Sequence, residues 1–99
     1  MNYTVETTDY FEKWLRKLKD RKARIEILNR VSKIQSVGYF GDYKSVGGEL
    51  QELRFFSGAG YRVYFIIRNG RCVILLAGGT KDTQARNIQK AHELLKGLD

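Results

Sequence analysis

The sequence predicts an α+β fold in one domain spanning residues 1–99, a length that suits a single domain. Apolar residues recur at helical spacing in the first third of the chain and again near its end. Between them lie three segments rich in β-branched and aromatic residues, joined by short turns. We therefore predict an N-terminal strand, a helical hairpin, an antiparallel β-meander and a C-terminal helix.

The first two elements are a short strand over residues 2–6 and a helix. Asp9 and Glu12 have the spacing of a capping box. In such a box the Asp9 side chain accepts a hydrogen bond from the backbone amide of Glu12, and the Glu12 side chain accepts one from the backbone amide of Asp9. Apolar residues then recur at i, i+3, i+4 and i+7, so that one stripe faces a core and the basic residues face water. That stripe consists of Phe11, Trp14, Leu15 and Leu18.

A second helix is predicted from a cap at Asp20 to a stop before Gly38. Its apolar positions are Ala23, Ile27, Leu28, Val31 and Ile34. The connection between the two helices is very short, which predicts a helical hairpin. Residues 37–49 contain four glycines and no sustained period, so we predict a loop there.

Three strands are predicted over residues 50–56, 61–68 and 71–77. Asn69-Gly70 is a strong hairpin signal, because both central positions of a type I′ turn need positive φ. If these two residues are the whole turn, Arg68 pairs with Arg71 and Arg62 with Ala77. The buried face then holds Leu53, Phe55, Val63, Phe65, Ile67, Cys72, Ile74 and Leu76, and the opposite face holds Arg54, Arg62 and Tyr64.

The last element is a helix over about residues 82–96. Its apolar stripe consists of Ala85, Ile88, Ala91, Leu95 and Leu98. Just before it, Gly78-Gly79 allows two interpretations: a small anion nest beside Lys81, or a simple break between strand and helix.

The chain carries 18 basic and 11 acidic residues, a net charge of +7, which favours polyanionic or acidic partners. The basic excess is uneven along the chain. Residues 1–36 hold 9 basic and 5 acidic residues, residues 37–81 hold 6 basic and 3 acidic, and residues 82–99 hold 3 of each. A dense basic cluster allows two interpretations, a solvated helix surface or an RNA-binding surface that neutralises phosphates. It consists of Lys13, Arg16, Lys17, Lys19, Arg21, Lys22 and Arg24.

The residue inventory argues against several classes of protein. The single cysteine, Cys72, excludes an intramolecular disulfide and agrees with a reducing cytoplasm, and the pattern places it in the core. The single histidine, His92, excludes a multi-histidine metal site, and we interpret it as a surface or hydrogen-bonded helix residue. No glycine-rich nucleotide loop, signal peptide or membrane-spanning run is present. We expect no metal, no cofactor, no membrane contact and a cytoplasmic location.

Arginines and lysines converge at one end of the predicted sheet. Arg54 and Arg62 share a face, Lys81 leaves the sheet at the same end, and Lys44 lies in the adjoining glycine-rich segment. Guanidinium groups bind phosphate bidentately and can stabilise a pentacoordinate phosphorane without metal. In RNA the 2′-hydroxyl is the nucleophile, so a small basic protein could cleave RNA with a general acid and base alone.

The roles within this cationic face are open. A structural interpretation pairs Arg62 with a carboxylate such as Glu52, or leaves it at the sheet edge. In the catalytic interpretation Lys81 or Lys44 is the general base, and Tyr64 positions the substrate.

Five segments in order resemble the RelE/ParE toxin superfamily, and within it the HigB-like addiction module killer proteins of bacterial and phage type II toxin–antitoxin modules. They are Phe11-x-x-Trp14-Leu15-x-x-Leu18, residues 41–47, Glu52-Leu53-Arg54, residues 58–65 and residues 78–84. The resemblance covers nearly the whole chain. It implies a strand, a helical hairpin, a curved antiparallel sheet and a C-terminal helix.

The resemblance also implies site residues. Arg62 matches the phosphate-stabilising arginine of the family, Lys81 matches a second catalytic cation, and Arg54 matches a basic strand position. The strand lysines of RelE are replaced by Leu50 and Glu52, and its C-terminal catalytic tyrosine falls at Asn87. The general base is therefore unassigned, with Lys44 as a substitute.

RelE-like members cleave mRNA in the ribosomal A site, whereas ParE-like members poison DNA gyrase on the same fold, and fold alone does not choose. We expect a toxin that inhibits translation by metal-free, ribosome-dependent mRNA cleavage. The alternatives are a gyrase poison and an inactive remnant of the fold. The expected partners are the ribosome, mRNA and a cognate antitoxin, a small helix-turn-helix protein through which alone the complex would contact operator DNA.

Overall fold

The computed structural model describes residues 2–98 and confirms the α+β class. In chain order the elements are β1 (Thr4–Thr7), α1 (Asp9–Lys17), α2 (Arg21–Val37), β2 (Tyr43–Ser45), β3 (Gln51–Arg54), β4 (Tyr61–Arg68), β5 (Cys72–Thr80), a 3₁₀ turn (Lys81–Thr83) and α3 (Gln84–Gly97). Within the described part of the chain, none of the helices combines the length and apolar character that crossing a bilayer requires.

The five strands form one sheet in the order β1-β5-β4-β3-β2. Strands β2 to β5 are antiparallel neighbours, as predicted, but β1 pairs in parallel with β5, so the sheet is mixed. The predicted loop over residues 37–49 is wrong in one part, because Tyr43–Ser45 forms the edge strand β2.

The helix ends show which caps the sequence identified. Asp20 caps α2 as predicted, with its Oδ1 accepting from the Ala23 amide at 3.0 Å, and Gly38 ends that helix at φ 70°. The cap of α1 is Thr8 and not Asp9, which is the first helical residue. The Thr8 hydroxyl accepts from the Phe11 amide at 3.0 Å and donates to the Leu76 carbonyl at 2.8 Å. The start of α1 is thereby tied to β5.

The predicted hairpin register between β4 and β5 is wrong by one residue at the turn and by two beyond it. Asn69 and Gly70 do have positive φ, at 58° and 66°, but Arg71 also belongs to the turn, and Arg68 pairs with Cys72. A bulge between Tyr64 and Phe65 adds a second shift. Arg62 consequently pairs with Gly79 and not with Ala77.

Both faces of the sheet are covered. Helices α1 and α2 pack on the face that holds Val63, Phe65, Val73 and Leu75. Helix α3 packs on the other face, over Leu50, Tyr64, Ile66, Ile74, Leu76 and Ala77. Residues 61–66 of β4 are therefore buried without alternation.

Several predicted core positions are wrong. Because of the register shift, Ile74 and Leu76 lie on the α3 side rather than beside Val63, and Cys72 is only half-buried. Ala85 is exposed, and Leu28 and Leu98 expose 49% and 41% of their surface. In α3, Ile88, Ala91, Leu94 and Leu95 make the apolar contacts.

Candidate functional site

A groove of about 340 Å³ opens at the end of the sheet where β3 stops and β4 starts. Three of its lining residues are cations. The lining residues are Arg54, Phe55, Phe56, Gly58, Ala59, Gly60, Arg62 and Lys81. The predicted meeting of Arg54, Arg62 and Lys81 at one end of the sheet is therefore confirmed as geometry.

The two arginines are held by one carboxylate. Arg54 and Arg62 lie directly opposite each other across β3 and β4, an arrangement in which like charges repel. Glu52, fully buried on the same face, places its Oε1 3.1 Å from Arg62 Nη1 and 3.9 Å from Arg54 Nε. Its Oε2 accepts from Gln84 Nε2 at 2.7 Å. The predicted pairing of Arg62 with Glu52 is present, and it fixes the guanidinium in place.

The three cations differ in their access to water. The side chain of Arg62 is 7% exposed, that of Arg54 is 30% exposed, and Lys81 is exposed. Arg62 Nε also donates to the Gly60 carbonyl at 3.4 Å, whereas Arg54 Nε is buried and has no hydrogen-bond partner among the described residues. With three cations against one carboxylate, the groove has a net positive charge. A rigid, partly desolvated cation of this kind acts strongly on an anion.

The β3–β4 turn closes one side of the groove. Its shape depends on positive φ at Gly58 and Gly60, 58° and 73°. The Ser57 hydroxyl donates to the Glu26 carboxylate of α2, at 2.7 Å from Oε2, which anchors the turn. A Cβ on Gly60 would lie 3.4 Å from Lys81 Cβ, so this glycine allows the close approach of the lysine.

Two predicted site residues lie outside the groove. Lys44 is exposed on β2, opposite Glu52 in the strand pairing, and does not line the groove. Tyr64 is fully buried under α3, so its interpretation as a residue that contacts the substrate is wrong. Burial, and next the Glu52 carboxylate, raise the pKa of Tyr64 far above the ordinary value.

Neither interpretation of Gly78-Gly79 is correct. Both glycines are buried within β5, which continues to Thr80. A Cβ on Gly78 would lie 2.4 Å from the Trp14 ring, and one on Gly79 would meet the Asn87 side chain. They are small because two side chains pack directly on the strand.

The basic cluster of the helical hairpin adjoins the groove. All of its members are exposed except Arg24, which is half-buried. The connection between α1 and α2 contains Asp20, whose Oδ2 would lie 3.0 Å from a Cβ on Gly58 in the groove's turn. The turn of the groove therefore approaches the hairpin at Asp20, which lies between Lys19 and Arg21 of the basic cluster.

Gln84, which donates a hydrogen bond to Glu52 from the first turn of α3, was not among the predicted site residues. Its position beside β3 depends on the bulge and on the 3₁₀ turn, neither of which has a clear signal in the sequence. Residues 2–98 contain no group of three or more histidine, cysteine, aspartate or glutamate side chains arranged to hold a metal ion.

The fold and the groove define a class: small basic α+β proteins with a positively charged groove at one end of a mixed sheet. The fold is shared with RelE. A mutant of the Escherichia coli toxin RelE in the free state superposes with a TM-score of 0.67 at 17% identity, covering 91% of this chain and 98% of that one. The E. coli RelBE toxin–antitoxin complex superposes with a TM-score of 0.64 at 18% identity, covering 79% of this chain and 95% of the matched chain. The archaeal RelE–RelB complex from Pyrococcus horikoshii OT3 superposes with a TM-score of 0.51 at 19% identity, covering 82% of this chain and 97% of the matched chain.

The sequence comparisons identify the family. The model of the phage-derived Gp49-like proteins (DUF891) matches residues 13–96, and the chain belongs to this family. An uncharacterized protein of Haemophilus influenzae is 45% identical over 98 residues, which span 99% of this chain and 98% of that protein. The resemblance to the RelE/ParE toxin superfamily is thereby confirmed.

Proposed function

We propose that this protein is the toxin of a type II toxin–antitoxin module and that it cleaves mRNA on the ribosome. The observation that carries the proposal is the convergence of Arg54, Arg62 and Lys81 in one groove, with Arg62 fixed by a buried carboxylate. The RelE fold supports it, because the matching structures are those of a toxin, free or bound to its antitoxin.

In the proposed reaction, a phosphodiester of the mRNA binds in the groove with its non-bridging oxygens on Arg62 and Arg54. The 2′-hydroxyl of the preceding ribose attacks phosphorus, and the bond to the 5′-oxygen breaks, leaving a 2′,3′-cyclic phosphate and a 5′-hydroxyl. Negative charge develops on the non-bridging oxygens in the transition state. Arg62 is held in place before the substrate arrives, so it stabilises that charge with little reorganisation.

Lys81 is the general acid in this reaction. Guanidinium groups stay protonated, which leaves Lys81 as the groove-lining side chain that can donate a proton to the leaving 5′-oxygen. The proton of the 2′-hydroxyl passes to water in this scheme. Lys44, on the edge strand outside the groove, has no part in it.

The exposed basic cluster supplies affinity for RNA rather than chemistry. Seven cations along α1, α2 and their connection would release counterions from phosphates, so binding should weaken steeply as salt is raised. The proposed antitoxin, a small helix-turn-helix protein, would cover the cationic groove and carry the complex to operator DNA.

Cell-free translation followed by primer extension on the mRNA tests the proposal. Arg62→Ala and Lys81→Ala should each lower cleavage, by about 10²–10³-fold for the arginine. Arg71→Ala is the matched control, because Arg71 is an exposed arginine in the turn at the other end of the same hairpin. Circular dichroism should show that each variant is folded.

Two results would refute the proposal. One is full cleavage by folded Arg62→Ala and Lys81→Ala. The other is intact mRNA in the presence of ribosomes together with inhibition of DNA supercoiling, which would favour the gyrase poison.

A further inference from the structure

Phe56 is a large apolar side chain that water reaches freely. It exposes 73% of its surface, whereas the preceding Phe55 is buried against α2. Single exposed aromatics are common on proteins, so the neighbours of this ring decide its meaning. Phe56 forms part of the wall of the cationic groove, and Arg54 Cζ lies 5.7 Å from its ring centroid. An aromatic face and a cation therefore stand side by side at the proposed phosphate site.

A second groove, of about 350 Å³, shares the same two phenylalanines in its lining. It is lined by Glu26, Asn29, Arg30, Lys33, Tyr39, Phe55, Phe56 and Ser57. The pairing of cation and ring repeats there, since Lys33 Nζ lies 5.7 Å from the centroid of Tyr39, which is 55% exposed. Two cation–aromatic pairs thus follow each other along adjoining grooves.

Both rings stand on an anchored backbone. Arg30 donates to the Phe40 carbonyl at 3.1 Å and to the Arg54 carbonyl at 3.2 Å, so it ties together the two segments that carry the rings. The Tyr39 amide donates to the Lys33 carbonyl at 3.2 Å. Since little backbone has to be ordered on binding, such rings can bind a ligand at low entropic cost.

Single-stranded nucleic acid matches this pattern, because each nucleotide supplies one phosphate for a cation and one flat base for a ring. An acidic peptide would pair with the cations but offers no regular planar group. We infer that Phe56 and Tyr39 form a base-stacking track for single-stranded RNA, which leads out of the groove formed by Arg54, Arg62 and Lys81. This inference rests on the proposed function and assigns the residues that hold the bases beside the cleaved bond.

Binding of the full chain to short 2′-O-methyl oligoribonucleotides tests the track, because the blocked 2′-oxygen prevents cleavage. By fluorescence anisotropy at low salt, Phe56→Ala and Tyr39→Ala should each weaken binding by about 5- to 150-fold, the loss expected when one base loses the aromatic side chain on which it stacks. Phe56→Trp should preserve affinity. Tyr10→Ala is the matched control, because Lys90 Nζ lies 4.8 Å from the Tyr10 ring but Tyr10 lines neither groove.

A second experiment uses a set of oligonucleotides that each carry one abasic nucleotide, at a different position in each. Wild-type protein should lose affinity when the abasic nucleotide reaches a stacked position, and Phe56→Ala should show no further loss at one of those positions. The inference is overturned if the wild type does not bind the oligonucleotides, or if both alanine variants bind as tightly as the wild type. It is also overturned if Tyr10→Ala loses as much affinity as they do. Unchanged RNA affinity with weakened antitoxin binding would assign the rings to a protein interface.

The two proposals fail separately. A chain that cleaves mRNA but binds RNA independently of both rings refutes the stacking track alone. A chain that binds RNA through the rings but leaves mRNA intact on the ribosome refutes the proposed cleavage alone.

Discussion

Replacing Glu52 by glutamine should destabilise the protein strongly, although the two side chains are nearly the same size. The change leaves the charge of Arg62, whose side chain is 7% exposed, without its partner at 3.1 Å. Removing one member of a buried pair costs about 3–5 kcal/mol. The glutamine can still accept one hydrogen bond and Arg62 reaches the groove, so we expect about 3 kcal/mol. For a chain of this size that loss lowers Tm by roughly 12–24 °C.

The comparison of single and double variants isolates the pair. Arg62→Met should also cost about 3 kcal/mol, because the fully buried Glu52 carboxylate keeps its hydrogen bond from Gln84 at 2.7 Å but loses the guanidinium. The double variant Glu52→Gln with Arg62→Met removes both charges, and it should be more stable than the sum of the two losses by about 1–3 kcal/mol. Urea unfolding followed by circular dichroism measures all three.

The matched control is a more exposed ion pair between the end of β4 and the turn that precedes β3. Arg68 Nη2 lies 3.3 Å from Glu49 Oε1, with the two side chains 30% and 46% exposed. Glu49→Gln should therefore cost less than about 1 kcal/mol. The assignment of Glu52 as the residue that holds the arginines would be wrong if Glu52→Gln cost no more than Glu49→Gln, or if the two losses were strictly additive.

Three further predictions concern the fold. Thr8→Ala should cost about 0.5–2 kcal/mol in urea unfolding, because the cap of α1 is lost; a value near zero would refute that cap. Gly78→Ala should cost about 1–3 kcal/mol, because its Cβ would lie 2.4 Å from Trp14, whereas Gly97→Ala meets nothing within 4 Å and should cost nothing; equal losses would contradict the contact. Burial raises the pKa of Tyr64 above 10.0, its value in the unfolded chain, so stability should be full below about pH 10 and fall above it. Thermal unfolding at rising pH should show a shallower fall for Tyr64→Phe, and an unchanged profile would contradict that shift.

Local chemistry made most of the helices predictable. The cap at Asp20 and the helix end at Gly38 depend on residues that are close together in the chain, and both lie where the sequence predicts them. The cap of α1 was wrong by one residue because Thr8 and Asp9 are adjacent and both residue types cap helices well. The choice of Thr8 depends on its bond to the Leu76 carbonyl, a contact that only the folded sheet supplies.

The strand pairing was less predictable, because small local changes alter every pair beyond them. The third turn residue, Arg71, and the bulge beside Tyr64 shift the pairing so that Ile74 and Leu76 lie on the face covered by α3. The parallel pairing of β1 with β5 joins residues far apart in the chain, and no period in the sequence reports it.

The positions of the site cations were predictable because alternation along β3 and β4 puts Arg54 and Arg62 on one face once these two strands pair in the observed register. The error at the turn moved the partner of Arg62 from Ala77 to Gly79 but left its face unchanged. The burial of Tyr64 was not predictable, since it depends on how α3 crosses the sheet. The hydrogen bond from Gln84 to Glu52 was not predictable for the same reason.

The order in which the parts of the groove occur along the chain has a consequence for synthesis. Glu52, Arg54 and Arg62 emerge from the ribosome before the residues that complete their surroundings, which are Lys81 and Gln84. β1 must also wait for β5, because Thr4 pairs with Cys72. Contacts that close such long loops form late in folding. A nascent chain therefore carries no finished cationic groove until α3 has begun to emerge, and a product truncated before residue 81 lacks both Lys81 and the hydrogen bond from Gln84 to Glu52.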